Sequence, residues 1–263
     1  MTTVAVQAGV RRGWIEFRQS VSSWGELVGW VWPSIIPLAL LFALRGNTVQ
    51  GIDFSIGSQA VPGVLGMNVV LTGLMGVAVA LTMDQMDGTL LRAKAIPGGT
   101  VGYLTGKIVS QTAMTVTILL IVLVPCAFLF DGIELGSASS WLTMLWLVLL
   151  GLLATLPIGA VLGSVLSSPQ TLSFMTLLVM GLAMISGVFF PVTSLPEWLR
   201  WVAQVFPLYW MGLGMRSALL PDALAAAEIG QSWRTLETVG VLGAWAVLGF
   251  VVAPVVLRKV VRR

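Results

Sequence analysis

Histidine is absent from this chain, and cysteine occurs once, at Cys126. Without them the common soft ligands for transition metals are missing, and no disulfide can close within the chain. Cys126 sits in an apolar run and reads as a small buried hydrophobe. Charge is scarce as well. The 14 Lys and Arg and 11 Asp and Glu make up 10% of 263 residues, where a soluble domain carries about 25%. These charges avoid five long stretches: Leu27–Leu44, Phe54–Met83, Ile108–Phe130, Leu135–Pro196 and Thr238–Leu257. A helix needs about 20 mostly apolar residues to cross ~30 Å of hydrocarbon, so the chain reads as an all-α polytopic membrane protein. No polar stretch is long enough to close a soluble core of its own. The first 26 residues show no apolar region of a cleavable signal peptide.

The run Leu135–Pro196 has room for two spans, and Ser167-Ser168-Pro169-Gln170 is its one good turn signal. Six spans follow, at about 27–44, 60–82, 108–130, 141–166, 171–191 and 238–257. With both termini cytoplasmic, the inside segments hold Arg11, Arg12, Arg18, Arg92, Lys94, Lys107, Arg258, Lys259, Arg262 and Arg263. The outside segments hold only Arg45, Arg200, Arg216 and Arg234. Positive charge gathers on the cytoplasmic side of membrane proteins, which favours this orientation. The preference for Arg over Lys points to a GC-rich genome, hence to a bacterial plasma membrane.

The lack of charge inside the spans excludes functions. Ion- or proton-driven carriers place ionisable groups at mid-membrane, and none lies there. A hydrolase or transferase needs a nucleophile with a base, or a metal, and no such set is present. The segment Gly102-Tyr103-Leu104-Thr105-Gly106-Lys107-Ile108 resembles half a phosphate loop but has Val101 where Gly is required and Ile108 where Ser or Thr is. The chain is therefore expected to be no enzyme, to hold no cofactor or metal, and to bind no nucleic acid. It reads as a passive moving part energised by another subunit. Gly98, Gly102 and Gly106, and Gly159 with Gly163, form small-residue ladders suited to close helix packing. Asn68 and Gln111 are the only amide side chains within the spans. Each either bonds a neighbouring helix, the favoured reading, or lines a path.

Three connections carry the remaining signal. Residues 4–24 form an amphipathic helix, with Val6, Val10, Trp14, Phe17 and Val21 at helical spacing and Arg11, Arg12 and Arg18 elsewhere on the wheel. Such a helix lies in the membrane interface; the alternative is a solvated tail. In residues 83–107, Asp87-Gly88-Thr89 starts a short helix, with Thr89 as a candidate N-cap, and Pro97-Gly98-Gly99 stops it. Leu90, Ala93 and Pro97 share one side and Arg92 another. A short helix between breakers suits docking in a partner's groove; a solvated loop is the bland alternative. In residues 191–237, the charge-free run from Trp201 to Met215 is too short to cross. A pair of half-inserted outer helices broken near Pro207 is expected, with Trp198, Trp201, Tyr209 and Trp210 at the outer interface.

At this point a family resemblance emerges. Asp87-Gly88-Thr89-Leu90 with Pro97 resembles the cytoplasmic signature of ABC-2-type exporter permeases. Ile185-Ser186-Gly187-Val188-Phe189-Phe190-Pro191, then Leu195-Pro196-Glu197-Trp198-Leu199, then Pro207-Leu208 and Arg216, is similar to the family's second signature. The likeness runs over nearly the whole chain, and the daunorubicin-resistance type of drug or lipid exporter is the subgroup it looks most like. It departs at Asp84-Gln85, where Glu then Arg is common, and at Leu91, where a second acid is usual.

The resemblance implies that two permease chains, a homodimer or close paralogues, form the pathway, and that two copies of an ABC ATPase carrying Mg-ATP drive it. Residues 84–97 would be the coupling helix, through Asp84, Asp87, Gly88, Thr89, Leu90, Arg92 and Pro97. Glu16, Phe17 and Arg18 of the interfacial helix, with Trp14 nearby, would brace it. Residues 194–220 would be the re-entrant outer pair, its signature positions being Gly187, Pro191, Pro196, Trp198, Pro207 and Arg216.

An uncharged pathway with Met-rich walls (Met67, Met75, Met175, Met180, Met184) suits an amphipathic drug, antibiotic or lipid. Pathway candidates are Asn68, Gln111, Met75, Met180 and Met184. Two other readings stand beside this one. The first is a permease for a polysaccharide or lipid-linked glycan. The second is a structural or sensory membrane protein with no ATPase.

Overall fold

The computed structural model describes residues 2–43, 55–96, 98–166, 168–189 and 191–261. Leu44, Arg45, Pro97, Ser167, Phe190, Arg262 and Arg263 lie outside the described residues. Among the described residues the chain is helical, with no strand.

A polar helix α1 (Thr2–Ser22) is followed, after Ser23, by the apolar α2 (Trp24–Ala43). Helix α3 (Ile56–Leu71) passes through a π-helical turn at Thr72–Gly76 into α4 (Val77–Met86), making one rod. The short α5 (Thr89–Lys94) precedes the long α6 (Gly99–Leu129). Then come α7 (Ala138–Val165) and α8 (Pro169–Ile185). The last part comprises α9 (Glu197–Val205), α10 (Pro207–Leu219), two 3-10 turns and α11 (Thr235–Val261).

Five helices are long and apolar enough to cross a membrane: Trp24–Ala43, Gly57–Met86, Gly99–Leu129, Ala138–Val165 and Thr235–Val256. Helix α8 is apolar but only 17 residues long.

Local chemistry sets the boundaries. Ser55 Oγ accepts from the Gly57 amide, Ser137 Oγ from Ser140 and Ser168 Oγ from Thr171, capping α3, α7 and α8. Pro169 follows its cap at the first helical position, where a missing N–H costs nothing. The turn expected from Ser168-Pro169 is therefore present. The helices also overrun the limits that charge suggested. Helix α6 starts at Gly99 rather than near Ile108, and α4 continues past Met83. Asp84 and Lys107 neutralise each other across the two helices, so neither ends one. What breaks the chain is glycine in the left-handed region, at Gly88 (φ 70°) and Gly98 (φ 73°). Gly88, not Thr89, occupies the cap position of α5, and Thr89 is its first helical residue.

The rod is the core of the molecule, with 83% of its apolar window buried. Helices α2, α6, α7 and α10 surround it; α1 lies along α6, and α11 along α7. Glycines permit this approach. A Cβ on Gly163 would stand 2.6 Å from the Ala78 carbonyl oxygen, and one on Gly66 2.8 Å from that of Met211. Gly159 meets the Leu74 and Gly73 carbonyls in the same way. The ladder through Gly102 and Gly106 packs against a matching pair, Gly9 and Gly13, on α1.

Two placements differ from expectation. On α1 the seam toward α6 is the glycine face, while Val6, Val10 and Trp14 remain exposed. Tyr209 and Trp210 are buried rather than at a surface, because α10 is inserted between α3 and α7. Trp198 and Trp201 are exposed, as expected for their part of α9.

Candidate functional site

Helix α5 stands at the end of the rod and is held at its base by charge. Asp84 Oδ2, in the last turn of α4, accepts from Tyr103 Oη at 2.6 Å and lies 2.8 Å from Lys107 Nζ. Lys107 also reaches Glu16 Oε2 of α1 at 3.1 Å, and Glu16 Oε1 accepts from Arg12 Nε at 2.9 Å. Both cations lie over the Tyr103 ring, Arg12 at 5.2 Å and Lys107 at 5.6 Å from its centroid. The Lys107 side chain is 11% exposed, so its ammonium depends on these partners for solvation. One lysine thus joins α1, α4 and α6.

A second set of bonds fixes α4 to the end of α7. Thr82 Oγ1 donates to the Leu166 carbonyl at 3.0 Å, and Gln85 Nε2 to that of Gly163 at 3.0 Å. Beyond this anchored base the chain reverses through Gly88 into α5. Arg92 folds back, donating from Nη2 to the Asp87 carbonyl at 2.9 Å. Leu90 and Ala93 are buried against the body, as their spacing predicts. Leu91, at 65% exposure, projects outward with Met86, Arg92 and Ile96. The result is a small knob with an apolar and cationic tip on a rigid stem.

The expected bracing residues divide. Glu16 belongs to the network and Phe17 is partly buried, whereas Trp14 and Arg18 are exposed. Arg12, Tyr103 and Lys107 do the joining, and sequence reasoning missed all three. The available signal was Lys107 and Asp84 facing each other across the ends of two charge-free runs. The half phosphate loop at 102–108 is interior to α6, with no loop to wrap a phosphate. Among the described residues no cluster of His, Cys, Asp or Glu could hold a metal.

The pathway candidates are spread along the bundle. Asn68 Nδ2 donates to Ser34 Oγ of α2 at 2.5 Å, so it bonds a neighbouring helix. Gln111 lies against Gly76 at the π turn, and its Oε1 is buried without a hydrogen-bond partner among the described residues. Met75 is buried and accepts from Thr176 Oγ1 at 3.6 Å; Met180 is partly buried and Met184 exposed.

At the other end of the rod, Gly187 turns at φ 68° and its carbonyl accepts from Arg216 Nη1 at 2.9 Å. Pro191 precedes a 3-10 turn, Pro196 caps α9 and Pro207 begins α10. Arg216 pairs with Glu228, another residue that sequence reasoning missed. Arg234 donates to Gln204 Oε1 at 2.7 Å and covers the Trp210 ring. The Trp245 indole N–H donates to the Val205 carbonyl at 2.8 Å, so α9, α10 and α11 are tied together.

These features define a multi-pass helical membrane protein whose polar groups are spent on joining helices. Residues 34–254 match a protein family described as "ABC-2 family transporter protein". The chain belongs to that family, and is by that membership a transmembrane component of an ABC transporter, without an ATP site of its own, whose partner is an ABC ATPase. Most of α1 and the start of α2 precede the matched residues. No curated protein matches the chain.

Proposed function

We propose that the chain forms half of an export pathway for an amphipathic drug, antibiotic or lipid, and that α5 is the part an ATPase subunit pushes. The observation that carries this reading is the knob: Leu91, Arg92, Met86 and Ile96 outward on a stem fixed by the Asp84–Lys107–Glu16 network. A force on α5 would pass through Asp84 into α6 and α1 together, rather than being absorbed by a flexible loop.

In this reading the bundle has six spans with both termini cytoplasmic, supported by the Lys and Arg bias. Helix α8 is the fifth span. At ~1.5 Å per residue it covers about 25 Å, and the apolar residues that follow it extend the reach. Helices α9 and α10, broken at Phe206-Pro207, form the re-entrant outer pair. Two such chains and two ATPase subunits holding Mg-ATP make the working assembly in a bacterial plasma membrane. Uncharged spans and Met side chains near α8 support a substrate with a large apolar part.

The test is purification of the tagged chain from its host in mild detergent, with mass spectrometry of what co-elutes. A stoichiometric ATPase should appear, and should be lost from the Leu91→Asp/Arg92→Glu variant while that variant stays folded. An ATPase that remains bound to a folded variant would refute α5 as the contact. Absence of any ATPase from a stable chain would refute the export reading.

A further inference from the structure

At the end of α3 remote from α5, four segments converge on a buried ion pair. Arg216 Nε of α10 lies 2.7 Å from Glu228 Oε1 in the following connection, with side chains 3% and 2% exposed. Arg216 Nη1 is bonded to the Gly187 carbonyl. That leaves Arg216 Nη2 and Glu228 Oε2, both buried and without a hydrogen-bond partner among the described residues. Both side chains line one small cavity, closed by Gln59 and Ala60 of α3 and by Gly187, Val188 and Pro191.

Leaving either orphan atom unmet is costly. A buried unsatisfied polar group costs about 1–3 kcal/mol, and a charged one more. Breaking even is harder still for an ion pair out of water unless its remaining donors and acceptors are met. The cavity has about 10 Å³ of room for the centre of a water molecule. One ordered water needs about 10–15 Å³ and two to four polar partners. A drug- or lipid-sized ligand does not fit. An anion would face the Glu228 carboxylate and a cation the Arg216 guanidinium. A neutral molecule that both donates and accepts matches both.

We propose that this cavity is a single-water site, in which one water accepts from Arg216 Nη2 and donates to Glu228 Oε2, completing the clasp that seats α10 on the first turns of α3. Arg216, Glu228, the Gly187 turn and Ala60 come from four segments of the chain, so the hydrated pair ties all of them at one point. The proposal is independent of what the protein carries.

Solid-state NMR on the full chain in deuterated-lipid bilayers tests it, with arginine and glycine labelled by carbon-13 and nitrogen-15. The Arg216 guanidinium is identified by its through-space contact to the Gly187 carbonyl carbon, and magnetisation transfer from water is then read. Transfer to the Arg216 guanidinium is expected despite its burial. It should be lost in Ala60→Val, whose added methyl groups enter the cavity, together with a lower unfolding temperature. No transfer in the unaltered chain would show the cavity dry and overturn the proposal. So would transfer undiminished in a folded Ala60→Val chain. If that variant does not fold, Gln59→Met, which lengthens an apolar side chain at the same wall, replaces it with the same two outcomes.

Discussion

Lys107 sits where three helices need a cation, and its removal leaves two carboxylates facing each other. Breaking a buried pair by deleting one partner costs about 3–5 kcal/mol; Glu16 and Asp84 keep some contact with solvent, so the lower end is expected. Lys107→Met should therefore destabilise the chain by about 2–3 kcal/mol, read as a lower midpoint in thermal unfolding by intrinsic tryptophan fluorescence. Lys107→Arg should recover part of the loss, because the position needs a charge more than a shape. Asn68 poses the opposite case. It spends its amide on Ser34, and hydrogen bonds between helices in membranes average about 0.6 kcal/mol. Asn68→Leu should cost no more than about 1 kcal/mol and leave export of a reporter dye at its original rate. A changed rate with unchanged stability would instead put Asn68 on the path.

At the scale of elements, the α1–α6 seam is the most sharply defined contact. Gly9 and Gly13 stand against Gly102 and Gly106 with no room for a Cβ between them. Overpacking such a contact costs about 1–3 kcal/mol. Gly13→Leu should lift α1 off the bundle, exposing the linker at Ser23 to protease while the apolar helices remain protected; limited proteolysis of reconstituted vesicles checks it. The π turn at Thr72–Gly76 makes a second element-scale prediction. A π turn is one residue inserted into an α-helix, so deleting Leu74 restores a straight helix and rotates all that follows by ~100°. Asp84 would then leave Lys107 and Tyr103. The deletion should give a chain that inserts but aggregates on size-exclusion chromatography, as a rod without its π turn cannot meet both ends of the bundle.

Over the whole molecule, the sequence told its membrane character, its breakpoints and its family more readily than its contacts. Avoidance of charge revealed where the apolar helices run, and Gly88, Gly98, Ser168-Pro169 and Pro207 marked real breaks because each acts on its own backbone. Contacts across distant sequence were hidden. Nothing in a fifteen-residue uncharged run says that α10 is inserted between α3 and α7, so Tyr209 and Trp210 were expected at a surface. Arg12 looked like one more lipid-facing arginine until Tyr103 and Glu16 were seen beside it. The π turn leaves no mark in composition, because its residues are ordinary helix formers within an apolar run.

The rod of α3 and α4 has a consequence for genetics. It is already walled in by its own chain along most of its length, whereas α2 and the lipid-facing side of α6 present bare flanks. Random mutagenesis of the gene should accordingly sort by position. Changes along residues 57–86 should erase the protein from the membrane fraction, whereas gain-of-range alleles, which transport something new at normal abundance, should cluster on the open flanks.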